Sequence, residues 1–243
     1  MLFRSLFGPD GSKLSKRHGV TSVSAYRAAG YLPEAMFNYL SLLGWSYDPD
    51  QPLFSVAEAV SRFDLVNVSR NPAVFDPQKL LWMNGEYLRA MPADDFTTRA
   101  RPFLERERPV SELEWLRFAS LASLIQERVE TLSAAPDMAR FLFEDGLVYD
   151  DGSWRKIMSN AEAGKALRAA RDALESVDPW ETGRLESALR AMLDELELSA
   201  SKGLQPIRVA VTGSHVSPPL FESLAALGRT TSLHRIGTAL SRL

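Results

Sequence analysis

Gly8-Pro9-Asp10-Gly11-Ser12-Lys13-Leu14-Ser15-Lys16-Arg17-His18-Gly19 is the stretch around which the rest of the chain is organised. It packs three glycines, two lysines, an arginine and two serines into a dozen residues. Glycine lets backbone N–H groups turn toward an anion, and the basic side chains supply charge. The pattern suits a polyphosphate. A solvated basic turn would have the same composition, because short Lys/Arg clusters are common. Spacing within the stretch, and the motifs C-terminal to it, separate the two readings.

Lys13-Leu14-Ser15-Lys16-Arg17 resembles the Lys-Met-Ser-Lys-Ser loop of class I aminoacyl-tRNA synthetases. Followed by His18-Gly19, it resembles the bacterial-type glutamyl-tRNA synthetase family in particular. Leu14 for Met and Arg17 for Ser are departures that family itself shows. The resemblance continues through Tyr31-Leu32-Pro33-Glu34-Ala35, Asn38-Tyr39-Leu40, Leu43-Gly44-Trp45, Pro72-Ala73-Val74-Phe75-Asp76 and Trp82-Met83-Asn84-Gly85. It resumes at Val209-Ala210-Val211-Thr212-Gly213 and Leu220-Phe221-Glu222, so it covers nearly the whole chain.

The resemblance implies glutamate–tRNA ligation. Glutamate attacks the α-phosphorus of ATP, which brings Mg2+ with it. Glutamyl-adenylate forms, pyrophosphate leaves, and the glutamyl group passes to the 3′ end of tRNA(Glu). Lysines held against the departing phosphates stabilise the transition state more than the ground state. Lys16 matches the family's ATP-contacting lysine and Lys13 flanks it. Ser15 would donate a hydrogen bond to a phosphate, and Arg17 would serve either ATP or the anchoring of its own loop. None of these side chains is a nucleophile or general base, so the chemistry rests on positioning and electrostatics.

The family carries a nucleotide-binding α/β domain, with a His-Ile-Gly-His-like motif, ahead of this loop. The histidines here are His18, His215 and His234, none in such a context, and seven residues precede Gly8. Seven residues are too few for a βαβ unit. The expectation is a C-terminal half, inactive alone, that receives glutamate through an N-terminal domain it lacks. A free-standing, non-catalytic tRNA-binding module is the alternative. Retention of Lys13, Ser15 and Lys16 favours the ligase, because a pure RNA binder has no use for an ATP loop. Glutaminyl-tRNA synthetase is related, but its anticodon-binding part resembles β-barrels, whereas this chain reads as helical.

Composition sets bounds. The chain has 243 residues, 45% of them hydrophobic, and no cysteine. Disulfides and thiolate metal sites are excluded, and the scattered histidines lack ligand-like spacing, so no protein-bound metal is expected. No apolar run reaches membrane-spanning length, and Met1-Leu2-Phe3-Arg4 leads into glycine, proline and charge with no signal-peptide core. A cytoplasmic monomer without membrane contact is expected. The net charge of −3 argues mildly against a dedicated nucleic-acid binder, though an acidic protein can carry a local basic face.

Helix signals dominate the chain beyond the loop. Residues 22–30 read as a short helix, and Pro33 opens one that Gly44 closes, with Met36, Phe37, Tyr39, Leu40 and Leu43 as its core stripe. Ser55–Glu58 and Ser111–Glu114 are capping boxes, and Asp76-Pro77 starts a further helix. Gly85 within that helix suggests close approach by another backbone. Asn84 is either a cap or an RNA contact. Leu113, Leu116, Leu121, Leu124, Ile125 and Val129 suggest an apolar face, and Leu147-Val148-Tyr149 a strand-like piece. Helices are expected over 157–177 and 179–198, with 199–203 a linker. Segment 207–211 fits strand or helix, and helices over 218–227 and 229–243 end the chain.

The fold class expected is mainly α, in three consecutive units. Residues 1–90 hold the ATP loop and a small domain resembling the one that contacts the tRNA stem. Residues 91–149 and 150–243 are two helical bundles forming an anticodon-binding cage. Within the cage, Arg128 aligns with the family's arginine that reads the third anticodon base, a role that suits a planar, stacking fork. A helix-surface arginine paired with Glu127 or Glu130 is the bland alternative. The loop 215–221, with Pro218, Pro219 and Phe221, resembles the family's other anticodon-contacting loop, against an alternative of simple helix capping.

Overall fold

The computed structural model describes residues 6–15, 17, 22–45, 48, 50–69, 71–106, 108–143 and 147–243. They form two compact units, Met1–Phe103 with Val129–Ala135, and Leu104–Arg128 with Pro136–Leu243. As expected, both are mainly α. Two short strands, β1 (Leu6–Phe7) and β2 (Ala73–Val74), pair in parallel in the first unit.

That unit carries α1 (Val23–Ala28), α2 (Pro33–Leu42), α3 (Val56–Arg62), α4 (Pro77–Ala90) and most of α5 (Ala93–Leu104). Ser22 caps α1, the Ser55–Glu58 box caps α3, and the Asp76 carboxylate accepts from the N–H groups of Gln78 and Lys79 to cap α4. Its core gathers Tyr26, Met36, Tyr39, Phe75, Leu80 and Met83. The Tyr39 hydroxyl accepts from the Asp76 N–H at 2.6 Å, and burial pushes its pKa up to about 12. Two of the five residues of the α2 stripe depart from expectation. Met36 and Tyr39 are buried, whereas Phe37 and Leu40 are exposed.

Asn84 is fully buried, with its side-chain oxygen 2.7 Å from the Leu32 N–H and its amide 2.6 Å from the Glu130 carbonyl. It pins α4 to the start of α2 and to the returning segment 129–135, a structural task. Among the described residues no close backbone approach is found at Gly85, where a Cβ would meet the Arg89 side chain. The approach occurs at Gly30 instead, where φ is +82° and a Cβ would sit 2.4 Å from the Ser133 backbone nitrogen.

The second unit holds α6 (Glu112–Gln126), most of α7 (Ala135–Ala139), α8 (Asp151–Ser153), α9 (Ala161–Glu175), α10 (Thr182–Leu196), α11 (Ala200–Thr212), α12 (Leu220–Leu227) and α13 (Arg229–Arg242). The buried face of α6 is Phe118, Leu121, Ala122, Ile125 and Gln126, while Leu113 and Leu116, expected on the apolar face, are exposed. Residues 147–149 form no strand. They lie ahead of α8, and Asp150 donates its N–H to the Gly213 carbonyl at 2.9 Å. Trp154–Met158 is a π-helical turn ahead of α9.

The expected linker at 199–203 is the first turn of α11, which also settles 207–211 as helix. Helix periodicity buries Gly203, Pro206, Ile207, Val209, Ala210 and Val211 there, which outweighs β-propensity. Helix α9 packs on α11 and α13, α10 on α9 and α12, and α12 on α6. Arg235 of α13 is buried, donating to the Phe141 and Val211 carbonyls at 2.8 and 2.7 Å. No helix among the described residues is long and apolar enough to cross a membrane.

Candidate nucleotide loop and nucleic-acid pocket

The loop after β1 folds back on itself. Phe7 bridges antiparallel to Lys13, and Leu14 donates its N–H to the Leu6 carbonyl at 2.8 Å. In this extended segment successive side chains alternate in direction. Leu14 packs on the Tyr26–Phe75 core, and Lys13 and Ser15 are exposed on either side of it. The apolar residue of the motif is thus the anchor that presents its polar neighbours.

Two of the three glycine amides expected to face an anion, those of Gly8 and Gly11, are engaged within the loop, and Gly19 lies outside the described residues. Gly8 donates to the Ser12 carbonyl at 2.7 Å and Gly11 to the Gly8 carbonyl at 3.0 Å. Arg17 donates to the Ser12 hydroxyl at 2.6 Å and lies 3.6 Å from the Asp10 carboxylate. Of its two expected roles, this geometry displays the anchoring one. Lys16 lies outside the described residues.

In the second unit a pocket of about 470 Å³ is lined by Arg128, Met138, Gln205, Arg208, His215, Val216, Ser217 and Pro219. Arg128, just past α6, donates to the Leu124 carbonyl at 2.8 Å and lies 3.6 Å from the Glu127 carboxylate, so the surface pairing exists alongside the pocket position. Arg208 projects from α11 and donates to the Ser217 hydroxyl and the Pro218 carbonyl, both at 2.6 Å. Burial pushes its guanidinium below its ordinary pKa. The Arg128 charge adds to that shift and Glu222 opposes it. Two guanidinium groups line one pocket, which gives it a positive lining, and the Gln205 side-chain oxygen, an acceptor, is buried without a partner.

Of the residues expected to touch RNA, Arg128 and Pro219 share this pocket. Pro218 is buried, and its carbonyl serves Arg208 and the Ser217 hydroxyl. Phe221 stands apart from the pocket lining, with the Arg190 guanidinium 6.0 Å from its ring centre. Sequence reading missed Gln205 and Arg208. Their i, i+3 spacing places them on one helix face, but on a strand an odd spacing would put them on opposite faces. The undecided state of 207–211 hid the pair.

The profile of the anticodon binding domain family matches residues 95–240. The chain belongs to that family. The profile of the class I (E and Q) tRNA synthetase catalytic domain matches residues 2–82, which include the Lys13 loop. Among curated relatives, the glutamate–tRNA ligase of Dehalococcoides mccartyi (strain ATCC BAA-2266 / KCTC 15142 / 195) is 42% identical over 242 residues, 98% of this chain and 50% of its own length. That of Mycobacterium sp. (strain KMS) is 42% identical over 233 residues, 96% of this chain and 47% of its own. The chain therefore spans about half the length of the curated relatives it matches. A glutamate tRNA ligase structure from Elizabethkingia meningosepticum shares the fold, with a TM-score of 0.83 at 24% identity over 98% of this chain and 50% of that one.

Proposed function

We propose that this chain supplies the nucleotide-loop and anticodon-binding parts of glutamate–tRNA ligase activity, in which glutamate is activated with ATP and transferred to tRNA(Glu). The division of labour runs along three segments. Residues 1–90 carry the loop and contact the tRNA stem, and 91–149 and 150–243 hold the anticodon. The observation that carries the RNA half is the convergence of Arg128 and Arg208 on one pocket inside the family-matched region. Like charges drawn together in a half-buried site favour an anionic, hydrogen-bonding ligand.

In the nucleotide half, the Lys13 ammonium and Ser15 hydroxyl are donors suited to phosphate oxygens, and Lys16 is the proposed partner of the leaving pyrophosphate. This donor set does not suit a cation, and Mg2+, which takes oxygen ligands, would arrive on the phosphates of ATP. Glutamate would be bound by parts of such a ligase that these residues do not supply.

Binding of tRNA(Glu) to the purified chain across salt concentrations tests the reading. Arg128→Gln and Arg208→Gln are each expected to weaken binding. A phosphate contact lowers the salt slope by about one for every tRNA. A base contact costs about 1–3 kcal/mol for the cognate anticodon and less for a changed base. Unchanged affinity in both variants would remove the pocket from the RNA-binding surface.

A further inference from the structure

We propose that His215 contacts RNA in the Arg128–Arg208 pocket, held by Ser153 and Asp150 in the tautomer that leaves Nε2 as a hydrogen-bond acceptor for a nucleobase N–H. The inference rests on the RNA reading of that pocket and adds a residue and a chemical polarity to it.

The tautomer is set by the protons available to one buried hydroxyl. The Ser153 Oγ lies 2.7 Å from an Asp150 carboxylate oxygen, 2.7 Å from His215 Nδ1 and 3.1 Å from the His215 backbone nitrogen. A serine hydroxyl has one proton and two acceptor positions. An ionised carboxylate can only accept, so the proton goes to Asp150, whose carboxyl is held below its ordinary pKa first by this hydroxyl. The backbone N–H can only donate and takes one acceptor position. Nδ1 must donate to the other. In neutral imidazole that leaves Nε2 unprotonated.

The backbone fixes where that nitrogen stands. Asp150 donates its N–H to the Gly213 carbonyl at 2.9 Å, and Gly213, with φ of +80°, turns the chain out of α11 into the loop that carries His215. The ring is exposed and forms part of the pocket wall. Arg128 and Arg208 are pure donors, whereas a base edge with an amino or imino group needs an acceptor. His215 Nε2 provides it at the rim.

Protonation reverses the polarity of Nε2. The charged groups around the ring are Asp150 across Ser153, Arg128 and Arg208 in the pocket, and Glu222 beside Arg208. The wild-type chain should bind an anticodon stem-loop RNA about fivefold tighter than His215→Phe at about pH 8, the size of one neutral hydrogen bond. Once the ring gains its second proton Nε2 is a donor, and that ratio should fall toward about one. Elevated salt screens the added attraction to phosphates during the comparison.

Long-range 1H–15N correlation spectra of the free chain give a second readout. Neutral His215 should carry its proton on Nδ1, and Ser153→Ala should shift the population toward Nε2–H. An Nε2–H tautomer in the wild type, or an affinity ratio indifferent to pH, overturns the proposal. Loss of binding in Arg208→Gln with none in His215→Phe overturns this inference alone. Indifference to both substitutions overturns the pocket reading together with it.

Discussion

Asn84 shows how much one buried side chain can decide. Its amide satisfies one donor and one acceptor from two distant segments, so it is read twice and in opposite senses. Asn84→Leu should cost about 3 kcal/mol, because both groups are left buried without partners. Asn84→Asp still accepts from Leu32 but sets a carboxylate against the Glu130 carbonyl, and should destabilise comparably despite equal size. Urea denaturation of the three chains checks this. A neutral outcome for Asn84→Asp would mean that burial, and not polarity, fixes the site. The sequence left Asn84 between cap and RNA contact because its partners lie 52 and 46 residues away.

Glu114 has a different signature. Hydrogen bonding from Arg108 is the largest of the effects that hold its carboxyl down to about 2, and its own capping-box bonds to Ser111 assist. In the unfolded chain a glutamate titrates near about 4.3. The unfolded state therefore binds the proton first as pH falls. The stabilisation is fully present above about pH 4.3 and is lost on descent toward about pH 2. Glu114→Gln should flatten this part of the stability–pH curve while leaving the slope above about pH 5 unchanged, as measured by thermal melts across pH.

At the scale of elements, capping signals were the most legible part of the chain. Both Ser-x-x-Glu boxes close as reciprocal hydrogen bonds at the positions expected. Signals that depend on who packs where were less legible. Leu113 and Leu116 follow a helical apolar spacing yet stay exposed, and 199–203 carries linker-like residues yet forms helix because α11 has neighbours to pack on. Gly30 belongs here too, since a positive φ and a backbone crossing meet at one residue. Gly30→Ala should cost about 3 kcal/mol or more, from left-handed backbone strain and from displacement of the Ser133 segment. Gly183→Ala, at a helical glycine with nothing within 4 Å of its Cβ, should instead be neutral or stabilising in the same urea titration.

For the whole molecule, the sequence carried the loop, the helical class and Arg128, while the pocket appeared once α11 and the 213–219 loop were folded together. The purified chain is expected to bind tRNA(Glu) and to give no ATP–pyrophosphate exchange above background with glutamate, ATP and tRNA present. Exchange well above background would show that these residues suffice for activation. In a complete ligase, Lys16→Ala should slow adenylate formation by about 3–4 kcal/mol of barrier and leave tRNA affinity nearly unchanged, as single-turnover kinetics would report.

Segment 129–135 belongs to the first unit although the residues on either side of it belong to the second. The polypeptide therefore changes unit three times, and no single cut can excise either one intact. A protein ending at residue 103 would lose the partner of the Asn84 amide and the backbone that Gly30 accommodates. Supplying 129–135 as a separate peptide should restore cooperative melting to that fragment, in the manner of enzyme complementation. Engineers wishing to graft the second unit elsewhere must bridge the gap this excursion leaves between residues 128 and 136, and cannot simply trim an end.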